Sequence, residues 1–149
     1  MKISAVPRPL NPDELDLLRA ADVPARFATL DNLGYPHVTP IWFIWDGDAF
    51  RMTSLVTKPH VRRLRRDTRA GLVIDVERDE RDNGERPNTQ LRVVGDAELS
   101  SDIAGEWTRA ITLRYLRGPG ALSAAERRAS QPRVVITLRP HRQVAVASV

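Results

Sequence analysis

Apolar residues in this chain come in short runs broken by turn residues, and the runs change period from segment to segment. Asn11-Pro12-Asp13-Glu14 has the form of a helix start: Asn11 as N-cap, Pro12 at the first helical position, acids in the first turn. Leu15, Leu17, Leu18 and Ala21 follow, predicting a short helix to about Ala21 that Pro24 closes. Residues 26–30 predict a strand, and residues 31–34 a turn in which Gly34 is free to take positive φ. Residues 37–45 form the most hydrophobic run, rich in β-branched and aromatic side chains, and predict a single strand. From Ile41 onward both of its faces are apolar, which implies cover on both sides by a barrel core and by a helix or second subunit. Asp46-Gly47 is a hairpin signal, with the return strand over 49–55.

Lys58-Pro59-His60 then opens a helix over 61–66, with Val61 and Leu64 on one face and Arg62, Arg63, Arg65 and Arg66 facing outward. Residues 70–76 predict a strand, 77–90 a charged loop, and 91–99 a strand with Gly95 as a candidate bulge. Ser101 is the expected cap of a helix to about Leu116, on which Ile103, Trp107, Ala110, Ile111 and Arg114 keep helical spacing. Ser123 and Glu126 fit a capping box for a short helix to Ala129, and residues 133–138 and 143–146 are the last strands. The first ten residues, with Pro7 and Pro9, read as an arm. Short strands joined early by hairpins, with a few helices set around them, favour an antiparallel β-barrel with peripheral helices over a βαβ sheet.

Composition narrows the function classes. A chain of 149 residues suits one domain over 1–149, and without Cys it has no disulfide, thiol nucleophile or zinc–thiolate site. No run approaches the ~18 apolar residues of a membrane span, and the N-terminus lacks the apolar stretch of a signal peptide. The expectation is a cytoplasmic protein away from membranes. Net charge is +4, yet six cations against one anion lie between Lys58 and Arg69, so the remainder of the chain sums to −1. That segment must face an anion: a phosphate-bearing small molecule or a nucleic-acid backbone. The segment has no aromatic residue for base stacking, which disfavours nucleic acid. The simplest alternative is an amphipathic helix with a solvated Arg face.

Motif chemistry is sparse. His37, His60 and His141 are widely spaced and form no metal-ligand pattern, and no catalytic side chain stands out. There is no P-loop, no dinucleotide-binding glycine motif and no hydrolase elbow around Ser54. What remains is Thr53-Ser54 at a strand end followed within eight residues by Lys58, His60 and Arg62, a plausible phosphate cradle at a helix start.

The order Ala25-Arg26-Phe27-Ala28-Thr29, Asp31, Gly34, Pro36-His37, Pro40, Trp42-Phe43, Asp46-Gly47, Thr53-Ser54 and Arg62-Arg63-Leu64-Arg65-Arg66-Asp67 resembles the FMN-binding split-barrel family related to pyridoxamine 5′-phosphate oxidase. The resemblance covers about fifty residues. It implies a mainly β, split antiparallel barrel that is homodimeric, with the cofactor at the subunit interface. It also implies an oxidoreductase using FMN or, alternatively, the deazaflavin coenzyme F-420 on a small-molecule substrate. A non-catalytic flavin carrier or sensor of the same fold is the alternative. The cofactor phosphate would be held by Thr53, Ser54, Lys58 and Arg62, with Pro59 and His60 in the same loop. The ring would lie along Pro40, Ile41 and Trp42. Two residues depart from the family pattern: His60 where Lys is common, and Thr68 where Pro is usual. At its ordinary pKa near 6.5, His60 would bring a pH-dependent charge to the cradle.

Overall fold

The computed structural model describes residues 8–77 and 88–148. Nine strands and four helices follow one another as β1 (Arg8–Pro9), α1 (Pro12–Arg19), β2 (Ala25–Leu30), β3 (Pro36–Ile41), β4 (Ile44–Trp45), β5 (Phe50–Leu55), α2 (Pro59–Arg66), β6 (Arg69–Glu77), β7 (Asn88–Ser101), α3 (Glu106–Tyr115), α4 (Ala121–Ala129), β8 (Arg133–Leu138) and β9 (Arg142–Ser148). The strands run in the order β3-β2-β6-β7-β8-β5-β4, and β9 joins β7 to β1. Every pairing is antiparallel. The mainly β barrel with peripheral helices predicted from the pattern is what the chain forms.

β7 is the spine. Its residues 88–94 pair with β9, and its residues 97–101 pair with β8. β8 and β9 therefore run one after the other along β7, with a break at residues 139–141. Gly95 lies opposite that break. A Cβ there would come within 2.6 Å of the Arg139 carbonyl oxygen, while the His141 N–H donates to the Val94 carbonyl oxygen at 3.0 Å. The expected bulge at Gly95 is absent: the register against β6 continues through Ala70↔Gly95 without an extra residue. The glycine is needed for backbone approach at the point where the barrel splits.

The core fills the barrel with Phe27, Phe43, Phe50, Met52, Ile74, Leu91, Ile136 and Leu138, all buried. Helix α2 closes it with Val61 and Leu64, and α1 with Leu18. Each large apolar side chain so buried is worth about 1.5–3 kcal/mol. The α1 cap forms as predicted, with the Glu14 N–H donating to Asn11 Oδ1 at 2.9 Å.

Several elements differ from expectation. Residues 8–10 are not a free arm, since β1 pairs with β9 and the Leu10 N–H donates to the Ala145 carbonyl oxygen. The loop expected over 77–90 yields Glu77 to β6 and Asn88, Thr89 and Gln90 to β7, and its middle lies outside the described residues. Ser101 stays in β7; the start of α3 is bound instead by Asp102, whose carboxylate accepts the Trp107 and Thr108 N–H groups at 3.0 Å each. Helix α4 starts at Ala121 without a side-chain cap, and Glu126 pairs with Arg109 rather than with Ser123. Among the described residues no helix is long and apolar enough to cross a membrane.

Gly95→Ala is expected to destabilise the fold by roughly 1–3 kcal/mol through forced overpacking. Urea unfolding followed by circular dichroism measures it, and a variant as stable as the parent would refute the close-approach account.

Candidate functional site

The run 37–45 is not one strand. Trp42 and Phe43 leave the ladder between β3 and β4. The reason lies at the end of α3. The Phe43 N–H donates to the Tyr115 hydroxyl oxygen at 3.3 Å, and the Phe43 carbonyl oxygen accepts from Arg114 Nη1 at 2.9 Å. Arg114 Nη2 and the Tyr115 hydroxyl also donate to the carbonyl oxygens of Ala21 and Val23. Side chains of one helix thus take the place of a neighbouring strand. Burial raises the Tyr115 pKa, which keeps its hydroxyl a donor.

The interruption opens a cleft of about 750 Å³. Thr39, Pro40, Ile41 and Trp42 form one side of it. Thr53 and Ser54 come from β5, and Lys58, Pro59, His60 and Arg63 from the start of α2. Ile111, Arg128, Gln131 and Arg133 close the far side. Trp42 stacks on Tyr115 with ring centres 4.9 Å apart and an interplanar angle of 6°. Among the described residues the lining has four cations and no carboxylate.

Eight of the nine residues singled out from sequence line this cleft, namely Pro40, Ile41, Trp42, Thr53, Ser54, Lys58, Pro59 and His60. Arg62 does not; it is exposed, and Arg63 lines the cleft instead. Helix geometry explains the exchange. His60, Val61 and Leu64 form the buried arc of α2. At about 100° per residue, Arg63 borders the His60 edge of that arc and Arg62 the opposite edge. Arg63 is further held by donating from Nε to Thr29 Oγ1 at 2.8 Å.

The two hydroxyls do not point together. Successive strand residues face opposite sides, and their partners show it. Ser54 Oγ lies 2.7 Å from His60 Nε2, on the α2 side. Thr53 Oγ1 lies 3.0 Å from the buried Thr108 Oγ1, on the α3 side. Thr108 also donates to Asp102 Oδ2 at 2.5 Å. A hydroxyl has one proton, and the shorter bond to a charged acceptor takes it. Thr53 then donates to the Thr108 oxygen, and its proton is committed away from the cleft.

His60 adds no cation to the lining. It is only 9% exposed, and burial, with Arg63 and Lys58 nearby, lowers its pKa to about 4. The expectation of a charge switching near 6.5 is corrected by that burial: at neutral pH the ring is neutral and serves Ser54 as a hydrogen-bond partner.

Arg128 and Arg133 were not singled out from the sequence. Both sit in ordinary Arg-rich surroundings, and no local motif marks them. Asp102 and Thr108 were likewise missed, because their significance comes from contact with β5.

Antiparallel strands in this order, split at β7 and with a cleft at the end of β5, define the architecture of a split barrel. The family described as pyridoxamine 5′-phosphate oxidase matches residues 12–146, and the chain belongs to it. No curated protein sequence matches significantly. Solved structures similar to this chain include an F420 reductase at 24% identity and TM-score 0.64, covering 86% of this chain and 94% of the other. A FAD-binding protein from Mesorhizobium loti is similar at 19% identity and TM-score 0.66, covering 97% and 99%. The haem storage protein HutZ from Vibrio cholerae is similar at 16% identity and TM-score 0.67, covering 90% and 94%. At these identities the likeness is one of fold.

A neutral buried His60 makes stability pH-dependent with a definite sign. The unfolded chain protonates this ring near pH 6.5 and the folded chain only near pH 4. Its contribution is complete above 6.5 and is lost as pH falls from there to 4. Urea midpoints at pH 7 and pH 4.5 should therefore converge in His60→Gln relative to the parent. An unchanged pH dependence in the variant would contradict the assignment.

Proposed function

We propose that the cleft holds a flavin or deazaflavin and that the protein is an oxidoreductase working through it. The observation that carries the reading is the lining itself: four cations without a carboxylate, at the end of a wall of Pro40, Ile41 and stacked Trp42. Such a wall suits a flat ring system, and Lys58 and Arg63 beside it suit a phosphate tail. The similarity to an F420 reductase and to a FAD-binding protein supports the same class.

In this reading Ser54, Lys58 and Arg63 hold the phosphate, replacing the set Thr53, Ser54, Lys58 and Arg62 expected from sequence. The start of α2, which has no side-chain cap, adds its partial positive charge. Pro40, Ile41 and Trp42 bear on the ring. A bound flavin supplies hydride or electron transfer; the chain supplies binding, orientation and exclusion of water. FMN and deazaflavin coenzyme F-420 both suit this cradle.

The reading extends to a homodimer. β3 pairs only with β2 among the described residues, and Val38 on it is 65% exposed. The outward positions beside it, Ala28, Gly71 and Val94, continue an apolar strip across β2, β6 and β7. A second copy seated there would cover the strip.

Titration of the purified chain with FMN and with coenzyme F-420, followed by flavin fluorescence, tests the reading. Ser54→Ala and Lys58→Ala are each expected to weaken binding by about 10- to 100-fold, the worth of one charge-assisted hydrogen bond. Arg62→Ala should leave it unchanged. Absence of binding to both cofactors would overturn the proposal. Reduction of the bound cofactor by NADH or NADPH, followed by reoxidation with an acceptor, separates an enzyme from a carrier.

A further inference from the structure

The end of β5 divides the cleft. Ser54 lies on the α2 side with Lys58 and Arg63, and Thr53 on the α3 side. On that second side Arg133 lies along the strand. Its Nη2 donates to the Thr53 carbonyl oxygen at 3.3 Å and its Nη1 to Gln131 Oε1 at 3.4 Å. Its Nε is buried and has no hydrogen-bond partner among the described residues. Arg128 lies on the same wall, donating from Nε to Thr112 Oγ1 at 3.1 Å with its guanidinium 5.0 Å from the Trp42 ring centre.

Neither guanidinium forms an ion pair among the described residues; the Asp102 carboxylate, whose oxygens accept from Trp107 and Thr108, acts on Arg133 only at longer range. Elsewhere Arg51 pairs with Asp46, Arg109 with Glu126, and Arg139 with Asp48 and Glu98. Burial holds both Arg128 and Arg133 below their ordinary pKa; Arg128 lowers Arg133 further by repulsion, and the Asp102 carboxylate offsets part of this. Two like charges drawn out of water with a single carboxylate in range and no ion pair are unfavourable, and an oxyanion between them lowers the cost. A guanidinium fork suits a carboxylate or phosphoryl group in particular.

We infer that Arg128 and Arg133 form a second oxyanion subsite in the cleft, separate from the Ser54–Lys58–Arg63 cradle, for a carboxylate or phosphoryl group. The inference rests on the flavin reading only for what fills the first cradle. The second group belongs either to a cofactor with more than one phosphoryl group or to an anionic substrate.

The test uses inorganic phosphate, FMN and FAD as probes, with the double variants Arg128→Gln/Arg133→Gln and Ser54→Ala/Lys58→Ala. Calorimetry of the unliganded parent should give two phosphates per chain, and each double variant should keep one. The FMN-loaded parent should still bind one phosphate. The FMN-loaded Arg128→Gln/Arg133→Gln variant should not, while its FMN affinity stays within about 3-fold of the parent. FAD affinity lowered about 10-fold or more in that variant would place the second group on the cofactor; unaltered FAD affinity in that variant, with one phosphate bound by the FMN-loaded parent, would place it on the substrate. If the Gln pair does not fold, Arg128→Lys/Arg133→Lys keeps the charge and should retain weaker phosphate binding. The inference is overturned if the Arg variants weaken FMN as much as Ser54→Ala/Lys58→Ala, or if the parent binds one phosphate or none. Failure of the flavin reading has a different signature: FMN does not bind, and the count of phosphates on the unliganded chain still decides the subsite.

Discussion

A sheet cannot be opened without leaving backbone donors and acceptors to be paired. At Phe43 the pairing comes from Arg114 and Tyr115, which reach back from the last turn of α3. The same two side chains bind the carbonyl oxygens of Ala21 and Val23, so the segment after α1, the gap between β3 and β4 and the end of α3 are fastened at one place. Trp42 is released from the ladder there and stacks on Tyr115. A strand continuing through 42 and 43 would alternate these side chains across a sheet, and the wall of the cleft would be lost.

The second constraint is the alternation of β5. Two adjacent hydroxyls look in sequence like one cradle, but a pleated strand sends them to different helices. Ser54 meets His60 of α2, and Thr53 meets Thr108 of α3. The cleft therefore has two chemically distinct sides separated by a single strand end. His60 suits this arrangement because it is neutral: a cation at that buried position would need its own anion, whereas an imidazole can hold Ser54 without one.

Much of the fold was legible because its signals are local. The Asn11 cap and the hairpin residues between β2 and β3 and between β4 and β5 depend on neighbours a few positions away, and they formed as read. The break at Trp42–Phe43 was not legible, since it is made by residues about seventy positions downstream. Nor was the full length of β7, because Asn88, Thr89 and Gln90 look like loop residues until β6 and β9 pair with them. Half of the cleft lining was found in advance because it is nearly contiguous in sequence on β3, β5 and α2. Arg128 and Arg133 were not, because they arrive from the other end of the chain.

The charge pattern shows the difference between density and strength. The densest run of cations, on α2, is mostly solvated: Arg62, Arg65 and Arg66 are exposed. In water their fields are weak and screened within about 10 Å. Arg63 differs from them in lying at the His60 edge of the buried arc, where it lines the cleft, and Arg128 and Arg133 differ in being half-buried without an ion pair among the described residues. An anion entering the cleft meets a lower dielectric and donors already held in place by Thr29, Thr112 and Gln131. Binding strength follows from that desolvation and fixed geometry, which counting charges along a sequence does not reveal. Of the six cations in the segment that dominates the net charge, only Lys58 and Arg63 line the cleft.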